Sequence, residues 1–298
     1  KLGTVTINEA GGIGMVRLIA RQSYNISIDK FIVTSNRAFN PEGMDPDPTQ
    51  ASVSELPSGV YSTPTITPPP SHPRLFFTEA DIPTLKANLD AEQNAAAKAA
   101  WEESMNYDSD GTLPAPTSGG SNFDYQVFNA IEAKAYDYAI NGNTEHGQSA
   151  IAMIKNALAT ADFVNDQFPV RAYGRLIMTV GKVYDWCYDL LSDDDKTLLI
   201  ANTAAHASHL TIGYPPNKMG AIVGHGAEGQ LLMHLMSFAI ATYDEQPDIY
   251  NYVAGRFFDE YIEPRNYYYQ SGSYHQGSSY TRYTNDIVCA FMFKRMSG

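Results

Sequence analysis

Two cysteines in 298 residues, Cys187 and Cys289, are too few for a disulfide framework or a thiolate metal cluster. Each lies in a mainly apolar, helix-like segment, so both read as buried free thiols and leave the compartment open. No apolar run is long enough for a membrane helix, and residues 1–20 do not form a signal peptide. Positive charge is scarce. Against 33 Asp and Glu there are 20 Lys and Arg, and the formal charge of −13 disfavours a broad nucleic-acid surface. The chain also lacks a phosphate loop, a nucleophile elbow and a zinc-protease helix, and Gly11-Gly12-Ile13-Gly14 is too weak and ill placed for dinucleotide binding. What is present is an ordinary composition, 44% hydrophobic and 18% charged, in a chain long enough to bury a large core in one or two domains. Tyrosine is the exception: of 20 tyrosines, ten crowd into 243–283, and Tyr267, Tyr268 and Tyr269 are consecutive. They read either as core and surface filler or as flat, partly wetted platforms for a sugar.

Three regimes follow along the chain. Thr4–Ile7, Met15–Ala20 and Ile26–Thr34 are rich in β-branched residues and predict strands, so residues 1–40 read as the last part of a β-rich domain. Residues 41–71 hold Pro41, Pro46, Pro48, Pro57, Pro64 and Pro68–Pro70 among Ser, Thr and Asp, and predict an extended linker. From residue 72 the pattern is helical, with no strand expected. Helices are predicted over 82–106, 124–140, 146–163, 171–190, 192–210 and 226–243, then from Pro247, and last from near Gly277. Asn141-Gly142-Asn143 should stop the second, and Ser192 with Asp195 should cap the fifth. About eight helices on mostly short loops predict antiparallel helical hairpins, as an open solenoid or a closed toroid. Strands that begin at once without an initiator Met, and an apolar run up to Met296-Ser297-Gly298, lead us to expect a longer parent protein.

Two segments carry chemistry. Gly224-His225-Gly226-Ala227-Glu228-Gly229-Gln230 enters an apolar helix and puts His225 and Glu228 on one side of its first turn. Its glycines allow close approach by a ligand, and the helix N-terminus favours an ionised Glu228. A polar helix cap would look the same. Residues 270–283, from Gln270-Ser271-Gly272-Ser273-Tyr274-His275-Gln276 through Tyr280, Arg282 and Tyr283, concentrate glycine, hydroxyls, aromatic rings and basic groups suited to a saccharide. The plainer reading is a surface loop before a helix. Arg256, Arg265 and Arg282 give this region a local positive field. His206 and His209 have helical spacing for a metal pair, but no third ligand is near, and ordinary packed or solvent-facing histidines are favoured; no metal ligand is assigned.

These segments, with His72-Pro73-Arg74-Leu75-Phe76-Phe77-Thr78 and Val183-Tyr184-Asp185-Trp186-Cys187-Tyr188-Asp189-Leu190-Leu191, resemble the heparinase II/III-like polysaccharide lyases, closest to the heparinase II side. The likeness covers about 72–298. It implies a mainly α fold, with an incomplete (α/α) toroid of antiparallel helical hairpins over 72–298. A β-sandwich fragment resembling the end of a carbohydrate-binding module precedes it over 1–40, with the Pro-rich linker between. It carries His225 onto a catalytic histidine, Glu228 onto an acidic partner and Tyr280 onto the catalytic tyrosine. Where the family has an arginine one helical turn after the tyrosine, this chain has Thr284, with Arg282 as the nearest substitute. A second family histidine, and in some members a structural divalent metal (zinc or calcium), belong to a β-rich region for which this chain offers no residues; no cofactor is assigned here. The resemblance further implies secretion or a periplasmic location, an acidic polysaccharide or oligosaccharide as partner, homodimer formation, and association with a C-terminal continuation of the same polypeptide. Neither nucleic acid nor membrane insertion is expected.

Cleavage of a 4-linked uronate by β-elimination needs a base at C5, an acid at O4 and stabilisation of an enediolate-like intermediate. Tyr280 is the leading acid/base, and its phenol, near 10 when unperturbed, would need nearby positive charge to act as tyrosinate. His225 is the alternate base or carboxyl holder. Glu228 orients it or shares a proton with the substrate carboxyl. Arg282 and Arg265 are candidate sulfate or carboxylate contacts, and Tyr274, His275 and Gln276 candidate subsite residues. Heparin or heparan sulfate is the first substrate expected, then other glycosaminoglycans and alginate-like uronans. The competing classes are an α/α glycoside hydrolase, using Glu228 with Asp244 or Asp286, and a noncatalytic glycan-binding protein.

Overall fold

The computed structural model describes residues 61–116, 120–163, 169–210 and 229–262, with 266, 270, 292, 294 and 296, all within the larger of two compact units, Pro46–Gly298. The predicted strands before residue 40 lie outside the described residues. Among the described residues the protein is mainly α-helical and no strand occurs. Eight α-helices are described: α1 Ile82–Asp90, α2 Ala95–Met105, α3 Tyr125–Asn141, α4 Thr144–Thr160, α5 Pro169–Trp186, α6 Asp193–Ala207, α7 Met236–Ala241 and α8 Pro247–Arg256.

Local chemistry sets most boundaries. Asp124 accepts from the Gln126 N–H to start α3, whose stripe of Phe128, Ile131 and Ala135 is buried. The helix ends where Gly142 turns left-handed (φ 73°) and its N–H reaches Tyr138 O at 2.7 Å, a conformation that suits glycine. Asn143 then caps α4 by accepting from the His146 N–H, and Ile151, Ile154 and Leu158 are buried. Ser192 and Asp195 form the predicted reciprocal cap of α6, with Asp193, Asp194 and Asp195 in its first turn. Pro247 begins α8, where it forfeits no helical hydrogen bond.

Two expectations are corrected. Residues 82–106 are not one helix: Ala91 is extended (φ −69°, ψ 134°) and a 3-10 turn, Glu92–Asn94, separates α1 from α2. Asn94 stabilises the break by donating its side-chain amide to Asn88 O at 2.7 Å, which an alanine-rich composition conceals. The 171–190 segment leaves α-helix at Trp186 and finishes as a 3-10 turn, Tyr188–Leu190. In addition, π-helical stretches, Gln230–Leu235 and Phe257–Ile262, lead into α7 and out of α8.

The helices pack pairwise. α3 lies against α2, α4 and α5, while α5 also meets α6, α7 and the π stretch before α7; α4 touches α6, and α7 touches α8. Alternate helices α3, α5 and α7 are therefore neighbours, with α5 central. The core between them includes Phe128, Ile154, Leu176, Val183 and Phe238, all fully buried. Each such side chain stabilises the fold by about 1.5–3 kcal/mol. The end of the proline-rich stretch is docked on α8 and the π stretch that follows it. Tyr250 Oη donates to Ile66 O at 2.7 Å, Tyr61 Oη to Glu260 Oε1 at 2.7 Å, and the Ser62 N–H to Asp259 at 2.7 Å.

Candidate functional site

The two segments at 72–78 and 183–191 meet inside the protein. Asp185, near the end of α5 and 1% exposed, accepts from the N–H groups of Arg74 (3.0 and 3.1 Å) and Leu75 (2.8 Å) and lies 2.6 Å from His72 Nδ1. His72 Nε2 lies 2.9 Å from Asp244 Oδ2, and the ring stacks on Tyr188 with centroids 3.7 Å apart. Arg74 Nη2 is 3.1 Å from the same Asp244 oxygen and donates to Ala241 O, while Trp186 donates its indole N–H to Leu75 O at 3.1 Å. Both imidazole nitrogens thus face carboxylates and one ring face is covered, which leaves no open nitrogen for proton transfer to a substrate. This clasp joins the entry segment to α5 and the turn after α7; its role is architectural. Burial alone raises the Asp244 carboxyl, but His72 and Arg74 outweigh it and hold the group below the usual carboxylate range. Such a carboxylate is poorly suited to be the proton donor of a hydrolase.

A second polar cluster lies where α3, α5 and the π stretch before α7 converge. Glu132 of α3 accepts at Oε1 from Thr179 Oγ1 (2.6 Å) and at Oε2 from Lys182 Nζ (2.7 Å), with Arg175 Nη2 at 3.0 Å. Arg175 Nη2 also donates to Asn129 Oδ1 at 3.1 Å. Burial, and then Arg175, push the Lys182 ammonium below its ordinary range, opposed by Glu132. Its Nζ also lies over the rings of Phe76 and Trp186, at 5.7 and 5.9 Å. His234, in the π stretch, is pushed down to about 4 by burial and then by the charges of Arg175 and Lys182, so it is neutral at pH 7. Its Nδ1 is buried with no hydrogen-bond partner among the described residues. The ring packs on Gly174, where a Cβ would overlap it. Two cations therefore share one carboxylate beside a neutral imidazole.

Next to this cluster an open groove of ≈ 330 Å³ runs between α2, α3 and the end of α5. Glu132 belongs to both: it lines the groove with Trp101, Tyr136 and Trp186 and anchors the cations behind it.

The residues expected to act, His225, Glu228, Arg265, Tyr274, His275, Gln276, Tyr280 and Arg282, lie outside the described residues, as do Asp286 and Cys289. The described chain resumes at Gly229, the sixth residue of the first motif, and passes at once into the π stretch that carries His234. His206 and His209 stack on Tyr173, with centroids 5.6 and 4.3 Å away; His206 is half-buried with Nε2 2.9 Å from Leu158 O, and His209 is exposed to solvent. No group of three metal-ligating side chains occurs among the described residues. Cys187 is a buried free thiol, pushed up by burial. Arg256, placed by the sequence in the basic field of the site, is 1% exposed and pairs with Glu260 at 3.0 Å, a local helix contact.

Sequence reasoning missed Glu132, Arg175, Lys182, His234 and Trp101. A signal was available. Gly174 and Gly181 stand seven apart in a helix that also carries Arg175 and Lys182, and glycine inside a helix marks a close approach. No helix among the described residues is long and apolar enough to cross a membrane. No family model matches the chain, and a search of curated proteins finds no match.

Proposed function

We propose that the protein is a polysaccharide lyase that cleaves a uronate-containing glycan by β-elimination, with heparin, heparan sulfate or another glycosaminoglycan as first substrate class and alginate-like uronans as second. The observation that carries this reading is the pairing of Arg175 and Lys182 around a single carboxylate, packed against the helix into which the Gly224–Gln230 motif leads. An acidic chain with a formal charge of −13 repels a polyanion except where a local surplus of cations offsets that field. Two cations against one anion at the α3–α5 interface supply such a surplus. The side-by-side order of α3, α5 and α7 supports the (α/α) toroid that the resemblance implies, and secretion or a periplasmic location suits the substrate.

In this mechanism Tyr280 protonates the departing O4 and, as tyrosinate, accepts the C5 proton. His225 takes the C5 proton from the epimer whose proton lies on its side, or holds the uronate carboxyl. Glu228 orients His225, and Arg282 and Arg265 meet sulfate or carboxylate. Extra negative charge at the carboxyl is stabilised by cationic and hydrogen-bond donors. Replacement of Tyr280 by Phe should abolish most turnover while circular dichroism and oligosaccharide affinity stay near wild type. Full turnover by Tyr280→Phe would remove it from the chemistry. His225→Ala should lose turnover on at least one uronate epimer, and unchanged rates on both would remove its role.

A further inference from the structure

We propose that the clasp around His72 is a proton-operated latch: it is closed while His72 is an imidazolium, and loss of that proton opens it on the Asp244 side. Donors and acceptors decide the charge. His72 Nδ1 lies 2.6 Å from Asp185 Oδ1, and Nε2 lies 2.9 Å from Asp244 Oδ2. A neutral imidazole has one N–H and one lone pair, whereas the imidazolium donates from both nitrogens. Neither carboxyl supplies the missing proton. Both oxygens of Asp185 accept backbone N–H groups, from Arg74 and Leu75, and such bonds favour the ionised form. Asp244, despite burial, is held below the usual carboxylate range by His72 and Arg74. Without the His72 proton a lone pair would face a carboxylate at hydrogen-bond distance, and one cation, Arg74, would stand against two anions.

The surroundings offer no substitute. Tyr188, stacked on the imidazole, donates its Oη to Glu245 at 2.7 Å, and Lys196 of α6 donates to the same oxygen at 2.9 Å. Tyr184 of α5 is pushed up by burial and then by Glu245, and Tyr188 is also pushed up, chiefly by burial, so both phenols keep their protons. Burial then selects the contact that breaks. The Asp185 side chain is 0% exposed, so the single N–H of a neutral His72 stays on it. The Asp244 side chain is 34% exposed, and water takes the place of the donor lost there. What comes loose is the turn after α7, the helix that continues the π stretch bearing His234. Because the closed form holds the proton, raising the pH favours the open one. The latch is independent of the lyase reading.

The test follows imidazole nitrogen NMR shifts and amide hydrogen exchange of the whole chain from about pH 5 to 9, a range that spans ordinary histidine titration. In the closed clasp both His72 nitrogens should carry protons. As one proton leaves, protection of the Gln246 amide, which donates to Thr242 O at 2.9 Å, should fall roughly tenfold with the loss of one charge-assisted hydrogen bond. Protection of the Leu75 amide, held by Asp185, should not change. Asp244→Asn removes the need for the proton, because its amide donates to a neutral Nε2 while Nδ1–H stays on Asp185. In that variant Gln246 protection should be constant across the range. A His72 with a single protonated nitrogen at the acid end would overturn the latch. So would wild-type Gln246 protection that is constant up to the alkaline end, or an Asp244→Asn protein that repeats the wild-type change.

Discussion

His234 shows how one side chain reports the electrostatics of its surroundings. Burial, and the neighbouring Arg175 and Lys182, push it down to about 4 from 6.5, so the folded protein holds it neutral while the unfolded chain binds a proton first as the pH falls. Its contribution to stability is therefore lost between pH 6.5 and about 4, and the loss levels off below that window. Substitution by glutamine removes the titration. Urea unfolding across this range should show the wild type losing stability relative to His234→Gln on acidification, and parallel pH profiles would contradict the assignment. None of this was visible in the sequence, where His234 is one histidine in an apolar helix. For Arg175 and Lys182 the glycines of their helix were an indirect signal, because only folding brings the two cations to Glu132. Ser192 and Asp195 were legible because a cap is written in four consecutive positions.

Among the elements, α5 organises the rest through close approach. A Cβ at Gly174 would overlap the His234 ring, and one at Gly181 would lie 3.1 Å from the Phe238 backbone nitrogen. On propensity alone Gly174→Ala should stabilise the helix by about 1 kcal/mol. We expect the opposite, a net loss of roughly 1–3 kcal/mol, because α5 and the π stretch must separate to admit the methyl group. Chemical denaturation measures the sign directly, and a more stable Gly174→Ala protein would show that the two elements are not packed as described. The helices were largely legible from apolar spacing, as in the Phe128, Ile131 and Ala135 stripe. The π stretches were not, since a wider turn preserves apolar character while shifting which residues share a face. The break at Ala91 escaped because it depends on a contact between Asn94 and Asn88 that helix propensity does not encode.

At the scale of the molecule, the 72–78 and 183–191 segments prove to be complementary halves of one clasp, with Asp185 receiving the backbone of Arg74 and Leu75. Sequence resemblance there was therefore legible as architecture, whereas the chemistry was expected from His225 and Tyr280. The described residues add a rigid aromatic groove and a pair of cations beside the helix that follows the histidine motif. On the lyase reading proposed above, a mostly acidic protein accepts its polyanionic substrate where cations offset the field of the chain. Whether that polyanion is broken by elimination is decided by the product. Mass spectrometry and ultraviolet absorbance should be applied together to digests of defined uronate polymers. The account predicts fragments whose new non-reducing ends carry a C4–C5 double bond and whose combined mass equals that of the parent chain. Fragments that have each gained water with no absorbance, or an intact polymer that is merely bound, would contradict it.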